Sequence, residues 1–89
     1  MYQTYVLFSS TKDRYYIGST GIGVEVRVQR HNDGWTRSTK SDVPWELKYV
    51  RNFETKMEAL KWEKHIKRQK SREYIDELIS TSERAHNLE

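Results

Sequence analysis

The sequence predicts an α+β domain in which a three-stranded antiparallel sheet is flanked by helices, in the order β-β-α-β-α-α. Two segments near the start of the chain are rich in β-branched and aromatic residues, and residues 45–53 alternate between apolar and polar side chains. After residue 55 the apolar residues recur at helical spacing instead. A chain of 89 residues accommodates one such domain with a small core.

Three strands are expected. Residues 3–9 (QTYVLFS) have the composition of a strand, and residues 15–18 (YYIG) return after the polar run TKDR, so that the two form a β-hairpin. In the third strand Trp45, Leu47 and Tyr49 alternate with charged residues. This alternation predicts that the three side chains share one covered face.

The segment over residues 24–34 fits two interpretations. Three valines alternate with polar residues, as they do in a strand. In a helix, Arg27 and His31 would share one face and Gly34 would end the helix. The pattern alone leaves this choice open. Residues 35–44 are polar and contain the only proline, so we expect a surface loop there.

Two helices are expected in the last third of the chain. Thr55 and Glu58 form a capping box that begins a helix reaching about Gln69. Ser71 is suited to capping a short last helix. Beyond residue 80 the chain is polar, and we expect it to fray.

Composition excludes several classes of protein. The absence of cysteine excludes a disulfide scaffold and a cysteine-rich zinc site. There is no apolar run near ~20 residues and no apolar leader, so we expect no membrane span and a cytoplasmic location. We expect one domain over residues 1–80 and a polar C-terminal tail over residues 81–89, whose final Leu88-Glu89 pair resembles a cloning remnant.

Charge is distributed unevenly along the chain. The formal net charge is +3, but residues 61–72 hold six basic residues and one acidic residue, whereas residues 73–89 hold five acidic residues and one arginine. A basic segment in a chain rich in aromatic residues suits a polyanionic partner. A solvated helix face explains the same charges, and charge alone leaves both interpretations open.

Short motifs follow one another along nearly the whole chain. They are Tyr5, Tyr16-Ile17-Gly18-Ser19-Thr20, Arg27-x-x-x-His31-Asn32-x-Gly34, Ser38-Thr39-Lys40, Pro44-Trp45-x-Leu47 and Glu58-Ala59-Leu60-x-x-Glu63-Lys64. In this order the motifs resemble the GIY-YIG nucleases, within them the small single-domain branch that is similar to the N-terminal nuclease module of the excinuclease UvrC. The resemblance covers residues 2–79. The first motif keeps only its tyrosine, and the late asparagine of many members has no clear counterpart.

The resemblance implies a GIY-YIG-like fold with a helix where Arg27 and His31 lie. It also implies a nuclease site whose members in this chain are the catalytic Tyr5, Tyr16, Arg27 and His31, the metal ligand Glu63 and the structural Gly18. In isolation these residues equally fit a surface arginine, a structural histidine, cross-strand tyrosine packing, a helix ion pair and a turn glycine.

The residue types suit phosphodiester hydrolysis. Arg27 offers a guanidinium fork that matches phosphate oxygens. His31 can accept a proton near neutrality, since an unperturbed histidine has a pKa of ~6.5. A phenol has a pKa of ~10, so Tyr5 and Tyr16 are expected to stay protonated and to orient the attacking water and a phosphate oxygen. Tyr16 is also expected to relay a proton through His31, and Gly18 to permit close approach of the backbone.

Glu63 is the candidate ligand for a single Mg²⁺ or Mn²⁺ ion. It lies beside the apolar face of the predicted second-to-last helix. Mg²⁺ keeps several of its waters and needs only one or two protein carboxylates, so a lone glutamate is sufficient. An ordinary ion pair with Lys67, four residues later, is the competing interpretation, and the resemblance favours the metal ligand.

The function that the resemblance implies is metal-dependent DNA endonuclease activity in repair or processing, leaving 5′-phosphate and 3′-hydroxyl ends. The alternative is a non-catalytic nucleic-acid-binding module on the same fold. Either way we expect contacts to the DNA backbone with little sequence specificity, and no obligate protein partner. The expected DNA-binding residues are Arg37, Lys40, Lys61, Lys64, Lys67, Arg68, Lys70 and Arg72.

Overall fold

The computed structural model describes residues 1–87, with side chains to residue 82. Its order of strands and helices confirms the predicted β-β-α-β-α-α arrangement, and the segment that fitted two interpretations is a helix. The elements are β1 (Tyr2–Ser9), β2 (Arg14–Thr20), α1 (Val24–Asn32), a short 3₁₀ turn (Lys40–Asp42), β3 (Trp45–Phe53), α2 (Lys56–Gln69) and α3 (Arg72–Asn87).

The three strands form one antiparallel sheet in the order β2-β1-β3. The central strand β1 is the most apolar segment of the chain, and Tyr5, Val6 and Leu7 are fully buried within it. Because successive side chains of a strand point to opposite faces, β1 contributes residues to a hydrophobic core on each face of the sheet. Tyr5 and Leu7 pack with Val24 of α1 on one face, whereas Val6 packs beneath α3 on the other.

The third strand departs from the predicted alternation. Trp45 packs with Tyr5 and Leu7, but Tyr49 packs with Val6 on the opposite face. The expectation that Trp45, Leu47 and Tyr49 share one covered face is therefore wrong. Along β3 the residue paired with Leu7 is Leu47 and the residue paired with Val6 is Tyr49, so one extra residue forms a β-bulge between them. A bulge reverses the alternation because the side-chain period of a strand is two.

The connection over residues 35–44 is only partly a surface loop. Thr39 and Asp42 are buried, contrary to expectation. The Ser9 hydroxyl donates to the Asp42 carbonyl at 2.6 Å, and Arg14 Nε lies 2.8 Å from the Asp42 carboxylate. Polar residues can be buried when they find such partners, and these partners come from the distant hairpin.

The two C-terminal helices begin as predicted. The Thr55 hydroxyl accepts the backbone N–H of Glu58 at 3.2 Å, and the Ser71 hydroxyl accepts that of Tyr74 at 3.1 Å. The last helix is longer than predicted, because α3 continues to Asn87. The predicted fraying of the chain beyond residue 80 stays a prediction. The residues that follow residue 80 include no glycine or proline that would end a helix.

Leu88 and Glu89, the pair that resembles a cloning remnant, lie outside the described residues. Within residues 1–87, no helix has both the length and the apolar character needed to cross a membrane.

Candidate active site

The site is built around Tyr5 and Gly18, which are paired in register on β1 and β2. A Cβ atom on Gly18 would lie 2.6 Å from the Tyr5 Oη and 2.8 Å from its Cζ, so the ring lies directly over the glycine. A larger side chain at residue 18 would have to displace that ring. Gly18 therefore permits a close approach. The group that approaches it is the Tyr5 side chain, whereas the sequence predicts close approach of the backbone. The Tyr5 hydroxyl is thereby carried across β2, an edge strand.

His31 of α1 is buried and holds the Tyr5 hydroxyl. Its Nε2 lies 3.2 Å from the Tyr5 Oη, and its Nδ1 lies 2.9 Å from the Thr39 Oγ1. The Thr39 hydroxyl donates its only proton to the carbonyl of Thr36, so it accepts a hydrogen bond from His31. These partners assign the proton of neutral His31 to Nδ1, which leaves Nε2 free to accept from the Tyr5 hydroxyl.

Tyr16 completes an aromatic cluster at this place. Its ring centroid lies 4.8 Å from that of His31 in an edge-to-face contact, 6.1 Å from that of Trp45 and 6.4 Å from that of Tyr5. The hydrogen bond of His31 goes to Tyr5, whereas Tyr16 contacts the His31 ring. The geometry therefore favours Tyr5 over Tyr16 as the hydroxyl that exchanges a proton with His31.

Arg27 places a positive charge beside the Tyr5 hydroxyl. Its positive charge opposes the rise that burial causes in the pKa of Tyr5, and its Nε is buried without a hydrogen-bond partner among the described residues. An unpaired buried donor is costly in a protein interior. Arg27 thus presents an unused donor of the kind that binds a phosphate oxygen.

Burial and charge shift the pKa values of Tyr5 and His31 in opposite directions. Burial raises the pKa of Tyr5 above its ordinary value, and the charge of Glu63 adds to this, whereas Arg27 opposes it. Burial lowers the pKa of His31, and the nearby positive charge of Arg27 lowers it further. At neutral pH Tyr5 is a phenol and His31 a neutral imidazole, so an O–H donor faces a nitrogen acceptor.

Glu63 lies on α2 and is paired with Lys67. Its side chain is only 16% exposed, and its Oε2 accepts a hydrogen bond from Lys67 Nζ at 2.6 Å. Although α2 packs on the face of the sheet opposite α1, it lies beside the edge strand β2, where Ser19 Oγ donates to the Ala59 carbonyl. The charge of Glu63 also contributes to the raised pKa of Tyr5. The pair with Lys67 is the one that the competing interpretation predicted.

A model of one protein family, described as the GIY-YIG catalytic domain, matches residues 1–75 of the chain. The chain belongs to the GIY-YIG family. No curated protein and no solved structure matches it significantly. The closer similarity of this GIY-YIG domain to the excinuclease module stays a prediction.

The donor set of the GIY-YIG domain suits one kind of metal ion. Among residues 1–82, whose side chains the structure describes, there is no group of three or more His, Cys, Asp or Glu residues that could hold a metal. A site closed by four protein ligands, as for structural zinc, therefore finds no donors in the described part of the chain. A hard divalent cation that keeps its waters needs only one carboxylate, and the largely buried Glu63 fits that requirement.

All eight predicted DNA-binding residues of the GIY-YIG domain are exposed. Two of them are already engaged within the chain: Lys67 binds Glu63, and Arg72 binds the Asp13 carboxylate at 2.6 Å. Lys67, Lys70 and Arg72 line a cavity of about 380 Å³ together with Arg14. Arg14 is likewise engaged within the chain, because its Nε pairs with the Asp42 carboxylate.

Two further residues of the GIY-YIG motifs have roles that the sequence did not reveal. Thr39 orients the His31 ring, as described above. Asn32 accepts the backbone N–H of Trp45 at 2.6 Å and donates to its carbonyl at 3.1 Å, which ties the end of α1 to the start of β3. Their places inside short motifs were the available signal, but their partners lie 8 and 13 residues away.

Proposed function

We propose that this protein is a metal-dependent endonuclease that hydrolyses DNA phosphodiester bonds in DNA repair or processing. The observation that carries the proposal is the Arg27 guanidinium, whose buried Nε lacks a partner among the described residues and which lies against the Tyr5 hydroxyl. Arg27 is only partly buried, so a phosphate oxygen that reaches the accessible part of its guanidinium would lie near a hydroxyl connected to a base.

The chain of hydrogen bonds through Tyr5 is suited to accepting a proton from an attacking water. The Tyr5 hydroxyl donates to His31 Nε2, so a lone pair of its oxygen can accept a hydrogen bond from the water. When the water attacks phosphorus, its proton passes to Tyr5 while the phenolic proton passes to His31 Nε2. Tyr5 stays neutral before and after the step, in agreement with its raised pKa. Thr39 stabilises the resulting imidazolium by accepting from Nδ1–H.

Three residues carry the remaining tasks. Arg27 would bind a non-bridging oxygen and stabilise the charge that develops on the phosphate. Tyr16, which packs against His31, would orient the substrate phosphate. Glu63 would hold Mg²⁺ or Mn²⁺ once Lys67 releases its carboxylate. The bound ion supplies positive charge that stabilises the phosphate and the leaving oxygen.

The eight exposed basic residues would bind the DNA backbone. Phosphate contacts carry no base specificity, and they weaken steeply as added salt reduces the gain from counterion release. We therefore expect binding that is promiscuous in sequence and strongly dependent on salt. A DNA substrate implies a location where DNA is accessible: the cytoplasm, at the nucleoid if the source is bacterial.

Arg27→Met tests the proposal at the residue that carries it. Wild type should cut labelled DNA in Mg²⁺, and the variant should cut at least ~100-fold more slowly, because removing one transition-state donor costs roughly that much. Arg51→Met is the matched control, since Arg51 is exposed on the other side of the sheet and stacks on Trp62. Equal cutting by Arg27→Met would refute the assignment. Wild type that binds DNA without cutting it would favour the non-catalytic module.

A further inference from the structure

Trp35 is largely exposed to solvent, whereas the other two tryptophans are buried or half-buried. Trp45 is 2% exposed and donates its indole N–H to the Thr39 carbonyl, and Trp62 donates to the Tyr49 hydroxyl. Trp35 is 67% exposed, and its described ring contact is with Arg30, whose guanidinium carbon lies 4.5 Å from the ring centroid. Most of a large, flat aromatic surface therefore faces solvent.

The position of Trp35 is fixed by the backbone. Gly34, with a φ of 82°, turns the chain at the end of α1, and the Trp35 N–H donates to the Arg30 carbonyl at 3.0 Å. The next residue, Thr36, accepts the hydroxyl of Thr39 through its carbonyl. The backbone of Trp35 therefore belongs to the same short loop that orients His31.

Trp35 is connected through Arg30 to the helix that carries the proposed phosphate-binding residue. Arg30, which covers one part of the indole, lies three residues after Arg27 and directly before His31 on α1. Residues three apart on a helix are neighbours on its surface. A strand whose phosphate contacts Arg27 would thus bring an adjacent base towards Trp35.

The surroundings of Trp35 match a nucleotide better than an apolar partner. Residues 29–41 hold Arg30, Arg37 and Lys40 against a single acid, Asp33, which is bonded to Gln29. An aromatic ring flanked by cations suits a nucleotide, because the base can stack on the ring while the cations contact the phosphates. Bases inside a continuous duplex are stacked on one another, and only an unpaired base has a free face for an indole.

We propose that Trp35 stacks on an unpaired base next to the phosphate bound at Arg27, which makes DNA with unpaired nucleotides, such as a gap or a flap, the preferred substrate class. That DNA with unpaired nucleotides is the preferred substrate for cleavage rests on the proposed nuclease function. The stacking itself is a binding property and can be measured without cleavage.

The test compares Trp35→Leu, Trp35→Phe and wild type in chelator and low salt. The probes are a labelled duplex with a two-nucleotide gap and a continuous duplex of matching sequence. Trp35→Leu should lose about tenfold in affinity for the gapped duplex and less than about twofold for the continuous one, since stacking on one base is worth roughly that factor. Trp35→Phe, which keeps an aromatic ring, should retain most of the gapped-duplex affinity. Binding of gapped DNA should also quench tryptophan fluorescence in wild type and not in Trp35→Phe.

Two results would overturn the inference: wild-type affinity of Trp35→Leu for gapped DNA, or an equal loss on both duplexes. Cleavage in Mg²⁺ is measured separately. If wild type cuts nothing while Trp35→Leu still loses its preference for the gap, the nuclease proposal fails and the stacking site stands. If wild type cuts and Trp35→Leu binds both duplexes normally, the stacking site fails and the nuclease proposal stands.

Discussion

The Tyr5 hydroxyl lies 3.2 Å from Nε2 of His31, and both residues are fully buried at the base of the site. The contact joins the central strand to the helix α1 and aligns a proton donor with a proton acceptor. It exists because Gly18 leaves room for the Tyr5 ring above β2. One glycine thus determines where the proposed proton relay lies.

Tyr5→Phe should remove the relay and leave the fold intact. We expect the cleavage rate to fall at least ~100-fold, which is the usual contribution of a positioned acid–base group. Tyr16→Phe should cost less, because Tyr16 contacts the His31 ring and Tyr5 holds the hydrogen bond. Single-turnover rates on labelled DNA measure both. Full activity of Tyr5→Phe would exclude the relay.

Gly18→Ala should destabilise the protein by about 1–3 kcal/mol, the usual cost of overpacking a core, because the new Cβ would lie 2.6 Å from the Tyr5 Oη and 2.8 Å from its Cζ. Urea denaturation measures the change in free energy of unfolding. In a Tyr5→Leu background the same substitution should cost clearly less, since the clashing atoms are absent. Equal costs in both backgrounds would show that the Tyr5 ring is not what excludes a side chain at residue 18.

Stability should fall as the pH falls below ~6.5, the pKa of an unperturbed histidine, because burial and Arg27 lower the pKa of His31. Below that pH the unfolded chain binds a proton more readily than the folded chain does. His31 therefore stabilises the folded state fully above that pH and progressively less below it. The described groups around the ring are Arg27, Tyr5, Tyr16 and Thr39, and none of them is a carboxylic acid. The free energy of unfolding, measured by urea denaturation from about pH 7.5 to about pH 5.5, should fall with falling pH. It should fall less steeply in His31→Gln. An unchanged slope would contradict the assignment.

Lys67→Ala should strengthen binding of a divalent cation, because Lys67 occupies the Glu63 carboxylate at 2.6 Å. An ion pair of this kind is worth up to about 1 kcal/mol, so we expect a roughly two- to fivefold lower dissociation constant for Mn²⁺. Calorimetry without DNA measures it, which separates the effect from any loss of DNA contacts. Lys64→Ala, on the same helix, is the control and should leave the affinity unchanged. Weaker Mn²⁺ binding by Lys67→Ala would contradict competition between the two cations.

The elements of the fold could be predicted from the sequence because their signals are local. The hairpin, the capping box at Thr55 and the cap at Ser71 each lie within a few residues. The bulge in β3 could not be predicted, because it depends on how Leu47 and Tyr49 pair with β1. The burial of Asp42 likewise depends on partners supplied by the distant hairpin.

The site was predictable as a set of residues and not as an arrangement. The motifs identified Tyr5, His31 and Glu63, but no spacing shows that His31 bonds Tyr5 in preference to Tyr16. That choice follows from the register that places Gly18 opposite Tyr5. The roles assigned to these residues stay predictions until activity is measured.

Glu63→Gln tests the central claim, metal-assisted hydrolysis at this site, most directly. Wild type and the variant are compared on linear, gapped and branched labelled DNA in Mg²⁺, with Glu54→Gln as control because Glu54 is an exposed acid outside the site. Wild type and Glu54→Gln should cut, whereas Glu63→Gln should not cut measurably although it should still bind DNA. Equal cutting by Glu63→Gln and wild type would contradict metal-assisted hydrolysis at Glu63.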